Sequence, residues 1–169
     1  PVGIGELDRV LGGGLVAGSV TLLGGEPGIG KSTVLLQALA AMARRGTTCL
    51  LACAEESAQQ VRMRAARLGA LEPNLWLVAE TDLSAILAHA GELRPDVLVV
   101  DSIQTVFDPE LASAPGSVAQ VRECAHRLVR AAKDANRATV LVGHVTKDGA
   151  LAGPRVISYT STSGTYAAA

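Results

Sequence analysis

The sequence predicts a single α/β domain with a mainly parallel sheet flanked by helices. Short apolar runs alternate along the chain with segments that carry an apolar residue every three or four positions, a pattern typical of repeated β/α units. A chain of 169 residues that is 49% hydrophobic and 18% charged suffices for one compact domain with a sizeable core. A chain of this length disfavours two large domains.

Five apolar runs are predicted strands, at residues 20–24, 48–53, 75–79, 96–101 and 138–143. The segments between them are predicted helices, clearest at residues 31–45 and 118–132, where apolar side chains repeat on one side. Because crossovers between parallel strands are right-handed, a ligand site is expected at the carboxyl ends of the strands. The residues that follow each run are therefore the candidate functional residues.

Composition excludes several classes of protein. No apolar run approaches the ~18 residues of a membrane span, and residues 1–15 lack a basic segment followed by an apolar one, so we expect no membrane partner and a cytoplasmic protein. Cys49 and Cys53 share one face of a predicted strand. Together with Cys124 they are predicted to be buried hydrophobic residues rather than disulfide or zinc ligands.

The charge balance limits how the protein can bind nucleic acid. Its 15 Lys and Arg residues nearly equal its 16 Asp and Glu residues, so any DNA contact must come from a local basic patch or from several copies of the chain. One Trp, two Tyr and one Phe disfavour a base-stacking surface.

A glycine-rich loop between the first strand and the first long helix matches the phosphate-binding pattern GxxxxGK[ST]. Its backbone N–H groups are expected to converge on phosphate oxygens at the positive end of the helix. Lys31 would reach the β- and γ-phosphates, Ser32 would ligate Mg²⁺, and Thr33 would lie near the α-phosphate. The predicted nucleotide-binding residues are Gly25, Glu26, Pro27, Gly28, Ile29, Gly30, Lys31, Ser32 and Thr33.

Two further strand ends carry carboxylates. Asp101 ends a buried strand and is predicted to hold Mg²⁺ beside Ser32; Ser102 and Gln104 either orient the site or cap a turn. Glu55 and Glu56 end the strand after the loop helix, and at least one is predicted to position or deprotonate the attacking water. Alternatively, this segment only begins the next helix, with Ser57 as its cap.

The last clear strand leads into a polar segment. His144, at the strand end, is predicted to sense the γ-phosphate, whereas His89 and His126 on helical segments are expected to be structural. Lys147 and Arg155 are predicted to bind DNA phosphates, with solvated loop charges as the alternative.

Taken together, these segments resemble the ATPase core of the bacterial RadA (Sms) proteins, members of the RecA superfamily. The resemblance covers almost the whole chain. It depends on the runs at residues 3–15, 25–33, 55–57, 101–105, 115–123, 143–147 and 152–155.

The resemblance implies a RecA-like P-loop NTPase core that uses ATP and Mg²⁺. It also implies a DNA-dependent ATPase of recombinational DNA repair, which drives branch migration or translocation on single-stranded DNA as a homo-hexameric ring. Branched recombination intermediates and a recombinase would be its partners. Residues 108–117 and 144–155 would face the central channel, where six copies of each cation add together.

The sequence departs from the family in three places. The zinc module, the protease-like ring domain and the Lys-Asn-Arg-Phe-Gly segment of the family do not occur in this stretch. The expected organisation is an ATPase core over residues 1–157 and a biased tail over 158–169, truncated, tag-like or discontinuous.

Two other functions are compatible with a phosphate-binding loop. An ATP-controlled assembly scaffold like the KaiC-type clock proteins would also carry paired glutamates, but the runs Asp-Ser-Ile-Gln-Thr and Gly-His-Val-Thr-Lys favour the DNA motor. A small-molecule kinase is disfavoured because no lid with arginines follows the loop.

Overall fold

The structure, a computed structural model, describes residues 1–144 together with the backbone of two strands at residues 156–160 and 165–168. Its strands are β1 (Val20–Gly25), β2 (Cys49–Cys53), β3 (Leu75–Ala79), β4 (Val97–Asp101), β5 (Ala138–His144), β6 (Val156–Thr160) and β7 (Thr165–Ala168). Its helices are α1 (Gly5–Val10), α2 (Lys31–Arg44), α3 (Ala58–Arg67), α4 (Leu83–Leu93) and α5 (Val118–Asp134).

The described strands form one sheet in the order β3-β2-β4-β5-β1-β6-β7. Every neighbouring pair is parallel except the β6–β7 pair, which is antiparallel. The predicted α/β fold with a mainly parallel sheet is therefore confirmed, and each of the five predicted strands lies within one residue of its observed bounds.

The end of the chain adds to the sheet. Strand β6 pairs with β1 through Leu22 and Val156, Leu23 and Ile157, and Gly24 and Ser158. The strand thus spans the boundary that the sequence analysis places between residues 157 and 158.

Two apolar layers cover the sheet because successive side chains of a strand point to opposite faces. In β4, Val97 and Val99 pack on the side of α1, α2 and α3, whereas Leu98 and Val100 pack on the side of α4 and α5. All four are buried, as expected for a central parallel strand covered by helices on both faces. Only Asp101, at the carboxyl end, emerges from this core.

The three cysteines are buried and free, as predicted. Burial raises the pKa of Cys49 and Cys53 to about 12 and that of Cys124 to about 11. In the described part of the chain there is no cluster of metal-binding side chains of the His, Cys, Asp and Glu types, and no helix is long and apolar enough to cross a bilayer.

Candidate nucleotide site

The phosphate-binding loop runs from the end of β1 to the start of α2. Gly28 and Gly30 have φ angles of +79° and +94°, which side chains of L residues rarely adopt. Gly30 caps α2 without any side-chain hydrogen bond, and the first bond within the helix is from Val34 N–H to the Gly30 carbonyl. The earlier N–H groups of the helix are therefore available to phosphate oxygens, an arrangement that fits a nucleotide.

Lys31 lies inside this loop, with 5% of its surface exposed. Its Nζ donates hydrogen bonds to the carbonyls of Gly25 (2.8 Å) and Glu26 (2.7 Å). Burial lowers the pKa of Lys31, and the nearby carboxylates of Asp101 and Glu55 oppose that change. The loop thus holds a cation where phosphate charge would be bound.

Ser32 and Asp101 form the second part of the site. The Ser32 hydroxyl donates to Asp101 Oδ2 over 2.6 Å, joining the first turn of α2 to the end of β4. Burial raises the pKa of Asp101, although the Ser32 hydrogen bond opposes this. A hydroxyl beside a carboxylate is a donor set that suits Mg²⁺, so these residues fit the predicted metal.

The paired glutamates point in different directions. Glu55 Oε1 accepts a hydrogen bond from the Ser102 hydroxyl (2.6 Å) and lies 2.8 Å from His144 Nε2. Burial raises the pKa of Glu55, but the Ser102 and His144 hydrogen bonds outweigh it, and the net pKa is below its ordinary value. The Glu56 carboxylate instead forms an ion pair with Arg64 of α3.

The start of α3 explains this divergence. The Ser57 hydroxyl accepts from Gln60 N–H, and the Gln60 side chain accepts from Ser57 N–H, which together make a capping box. The cap that the sequence offered as an alternative is therefore present. It turns the chain at Glu56 and leaves Glu55 at the end of the sheet.

Strand order brings the remaining residues together. Cys53 is in register with Asp101, and Asp101 with Val142, so the ends of β2, β4 and β5 lie side by side. The amide nitrogen of Gln104 donates to the His144 carbonyl over 3.2 Å. Ser102 and Gln104 thus each donate a hydrogen bond to a residue of the site, and Ser102 also begins a turn closed by Thr105.

A cleft of about 310 Å³ joins these groups. Its lining residues are Pro27, Gly28, Gly30, Lys31, Ser32, Thr33, Glu55, Glu56, Arg64, Asp101 and His144. The carbonyls of Gly25 and Glu26 accept hydrogen bonds from Lys31. Ile29 does not line the cleft. Lys147 and Arg155 lie outside the residues that the structure describes.

Arg64 is the lining residue that the sequence analysis did not single out. Helical periodicity could not reveal this contact, because Glu56 precedes the cap of α3 and lies outside the helix that carries Arg64.

A glycine loop at a helix start, a buried lysine and a Ser–Asp pair at the carboxyl edge of a parallel sheet define a P-loop nucleotide-binding protein, and the helix-flanked sheet agrees with the expected RecA-like core. The AAA domain family matches residues 4–150, and the chain belongs to that family. Several curated relatives carry the name DNA repair protein RadA, which confirms the resemblance inferred from the sequence motifs.

Three relatives illustrate the similarity. The RadA protein of Pseudomonas aeruginosa is 59% identical over 154 residues, or 91% of this chain and 34% of the relative. The RadA protein of Haemophilus influenzae is 53% identical to this chain, and the match covers 93% of this chain and 34% of the relative. The RadA protein of Chlamydia pneumoniae is 52% identical, and the match covers 90% of this chain and 34% of the relative. The chain spans about a third of the length of the curated relatives it matches.

Proposed function

We propose that this chain is the ATP-hydrolysing core of a DNA repair motor. The observation that carries the proposal is the single cleft in which a buried lysine, a Ser–Asp pair and a hydrogen-bonded glutamate meet. The name of its relatives, DNA repair protein RadA, supports the assignment to repair.

The residues divide the work of phosphoryl transfer to water. The N–H groups of the first turn of α2 and the Lys31 ammonium bind phosphate oxygens and stabilise their charge. Ser32 and Asp101 would hold Mg²⁺, and the bound ion would act as a Lewis acid towards the phosphate oxygens. Glu55 orients the attacking water and accepts its proton.

Glu55, rather than Glu56, is the proposed base. Its pKa is below the ordinary value, so its carboxylate is ionised at neutral pH, and it contacts side chains at the ends of two neighbouring strands. The negative charge of Glu56 is instead paired with the guanidinium of Arg64. His144 contacts the base directly, so loss of the γ-phosphate from the cleft would be passed through His144 to the segment that follows β5.

DNA is the proposed effector of this ATPase. Lys147 and Arg155 would bind the backbone of single-stranded DNA in the channel of a homo-hexamer, where six copies of each act on one strand. Turnover would then drive translocation and branch migration of recombination intermediates, together with a recombinase partner. Support comes from the name of the relatives and from the position of His144 directly before this segment.

Steady-state ATP hydrolysis with and without single-stranded DNA tests the proposal, with Lys31→Ala as the blank. We expect stimulation that fades as salt rises, because phosphate contacts release counterions. Lys147→Ala should reduce the stimulation more than it reduces nucleotide binding. Arg130→Ala, which removes an exposed cation of α5, is the matched control. An ATP hydrolysis rate that does not change when DNA is added would favour the ATP-controlled scaffold.

A further inference from the structure

We propose that Ser102 is the positioning residue of the Glu55 carboxylate, holding one of its oxygens so that the other is free for the attacking water. The inference rests on the proposed function, in which Glu55 acts on that water. Ser102 directly follows Asp101 and is fully buried. Its hydroxyl bonds to Glu55, whereas the Asp101 carboxylate accepts from Ser32, so the two neighbours have different partners.

The hydroxyl proton of Ser102 is assigned by the chemistry of its partner. An ionised carboxylate only accepts, so the single Ser102 hydroxyl proton goes to Glu55 Oε1, 2.6 Å away. The Thr105 hydroxyl donates to the Ser102 carbonyl over 2.8 Å, and its oxygen accepts from Ser102 N–H over 3.4 Å. Thr105 therefore closes the turn around Ser102 and holds its backbone in place, and the two hydroxyl oxygens lie 3.3 Å apart.

The carboxylate and the two side chains that hold it come from the ends of three neighbouring strands. Glu55 follows β2, Ser102 follows β4 and His144 ends β5, in the sheet order β2-β4-β5. Both donors reach the same oxygen, Oε1. Within residues 1–144, no hydrogen bond reaches Oε2, which is the oxygen left to accept a proton.

Burial makes the Ser102 hydroxyl hard to replace. Since Ser102 has no exposed surface, bulk water cannot take the place of its hydroxyl after truncation to alanine. The Glu55 side chain, which is 37% exposed, would then pivot about its single contact with His144. A base that samples several positions loses rate without losing nucleotide affinity.

The test compares Ser102→Ala with Thr139→Val, which also removes a buried hydroxyl, but one that has no hydrogen-bond partner and lies away from the cleft. For Ser102→Ala we expect kcat to fall about 10- to 100-fold. The Kd for a non-hydrolysable ATP analogue with Mg²⁺ should change less than about threefold. Thr139→Val should retain both values, and an unchanged kcat in Ser102→Ala would overturn the proposal.

A second measurement uses the nucleotide-free protein. NMR titration of ¹³C-labelled glutamate should show a higher pKa for Glu55 in Ser102→Ala than in the parent, because a hydrogen bond to the charged form is lost. An unchanged pKa would overturn the inference. If Glu55→Gln retains kcat while Ser102→Ala shifts this pKa, the proposed base is wrong but the contact is correct.

Thr105→Val provides a variant that leaves Ser102 in place. It removes the hydroxyl that orients Ser102, so a smaller fall in kcat in the same direction is expected, with the analogue Kd again retained. Loss of analogue binding with retained kcat in this variant would contradict a positioning role.

Discussion

Replacing each glutamate of the pair by glutamine separates the two carboxylates that the sequence left equivalent. In Glu55→Gln the amide oxygen can still accept from Ser102 and His144, which places the amide nitrogen where Oε2 was. That nitrogen cannot accept a proton. We therefore expect kcat to fall by about 10²- to 10⁴-fold with little change in fold or nucleotide affinity.

The Glu56→Gln change removes only an ion pair. The side chains of Glu56 and Arg64 are 32% and 30% exposed, and a pair of this kind stabilises the fold by no more than about 1 kcal/mol. Its kcat should stay within about fivefold of the parent value. Phosphate release at saturating ATP and Mg²⁺, with thermal unfolding as the check on folding, measures both variants.

The pH dependence provides an independent check on Glu55. The hydrogen bonds from Ser102 and His144 keep its pKa below the ordinary value, so its carboxylate is ionised throughout the range above about pH 5. Loss of activity through this group should begin only below that pH.

For the two glutamine variants, a large loss of kcat in Glu56→Gln together with near-parent activity in Glu55→Gln would refute the assignment of Glu55 as the base.

Three further predictions concern stability and reactivity. Leu128 is fully buried in α5, so Leu128→Ala should lower the melting temperature by about 5 to 15 °C. The Val118 side chain is 73% exposed, so Val118→Ala should leave the melting temperature unchanged. Differential scanning fluorimetry measures both variants. Thr139→Val should stabilise the protein by about 1 kcal/mol in urea unfolding, since it removes a buried hydroxyl without a partner; destabilisation would contradict this. With pKa values of about 12, Cys49 and Cys53 should resist iodoacetamide at pH 8 in the native protein and react once it is unfolded, so rapid native labelling would contradict their burial.

The local features of this protein could be read from its sequence. The glycine loop between a strand and a helix needs only chain neighbours, and the φ angles of Gly28 and Gly30 agree with it. The buried strands appear as apolar runs because both faces of a parallel sheet are covered, and Asp101 stands out as the polar residue that ends one of them. The cap of α3 at Ser57 was likewise visible as a local pattern.

Contacts between distant parts of the chain were decided only by the tertiary structure. The sequence left Glu55 and Glu56 equivalent, and Ser102 with two possible roles, because those choices depend on which strand lies beside which. The sheet order β2-β4-β5 places Ser102 and His144 against Glu55, across 47 and 89 residues of sequence. The turn into α3 directs Glu56 to Arg64 instead.

The sequence by itself thus determined which chemical groups are present and which strand or helix end carries each one, since backbone conformation and periodicity are local properties. The tertiary structure decided which of those groups meet. Hydrogen bonds act only over about 3 Å, and only the register of neighbouring strands brings side chains this far apart in the chain within that range.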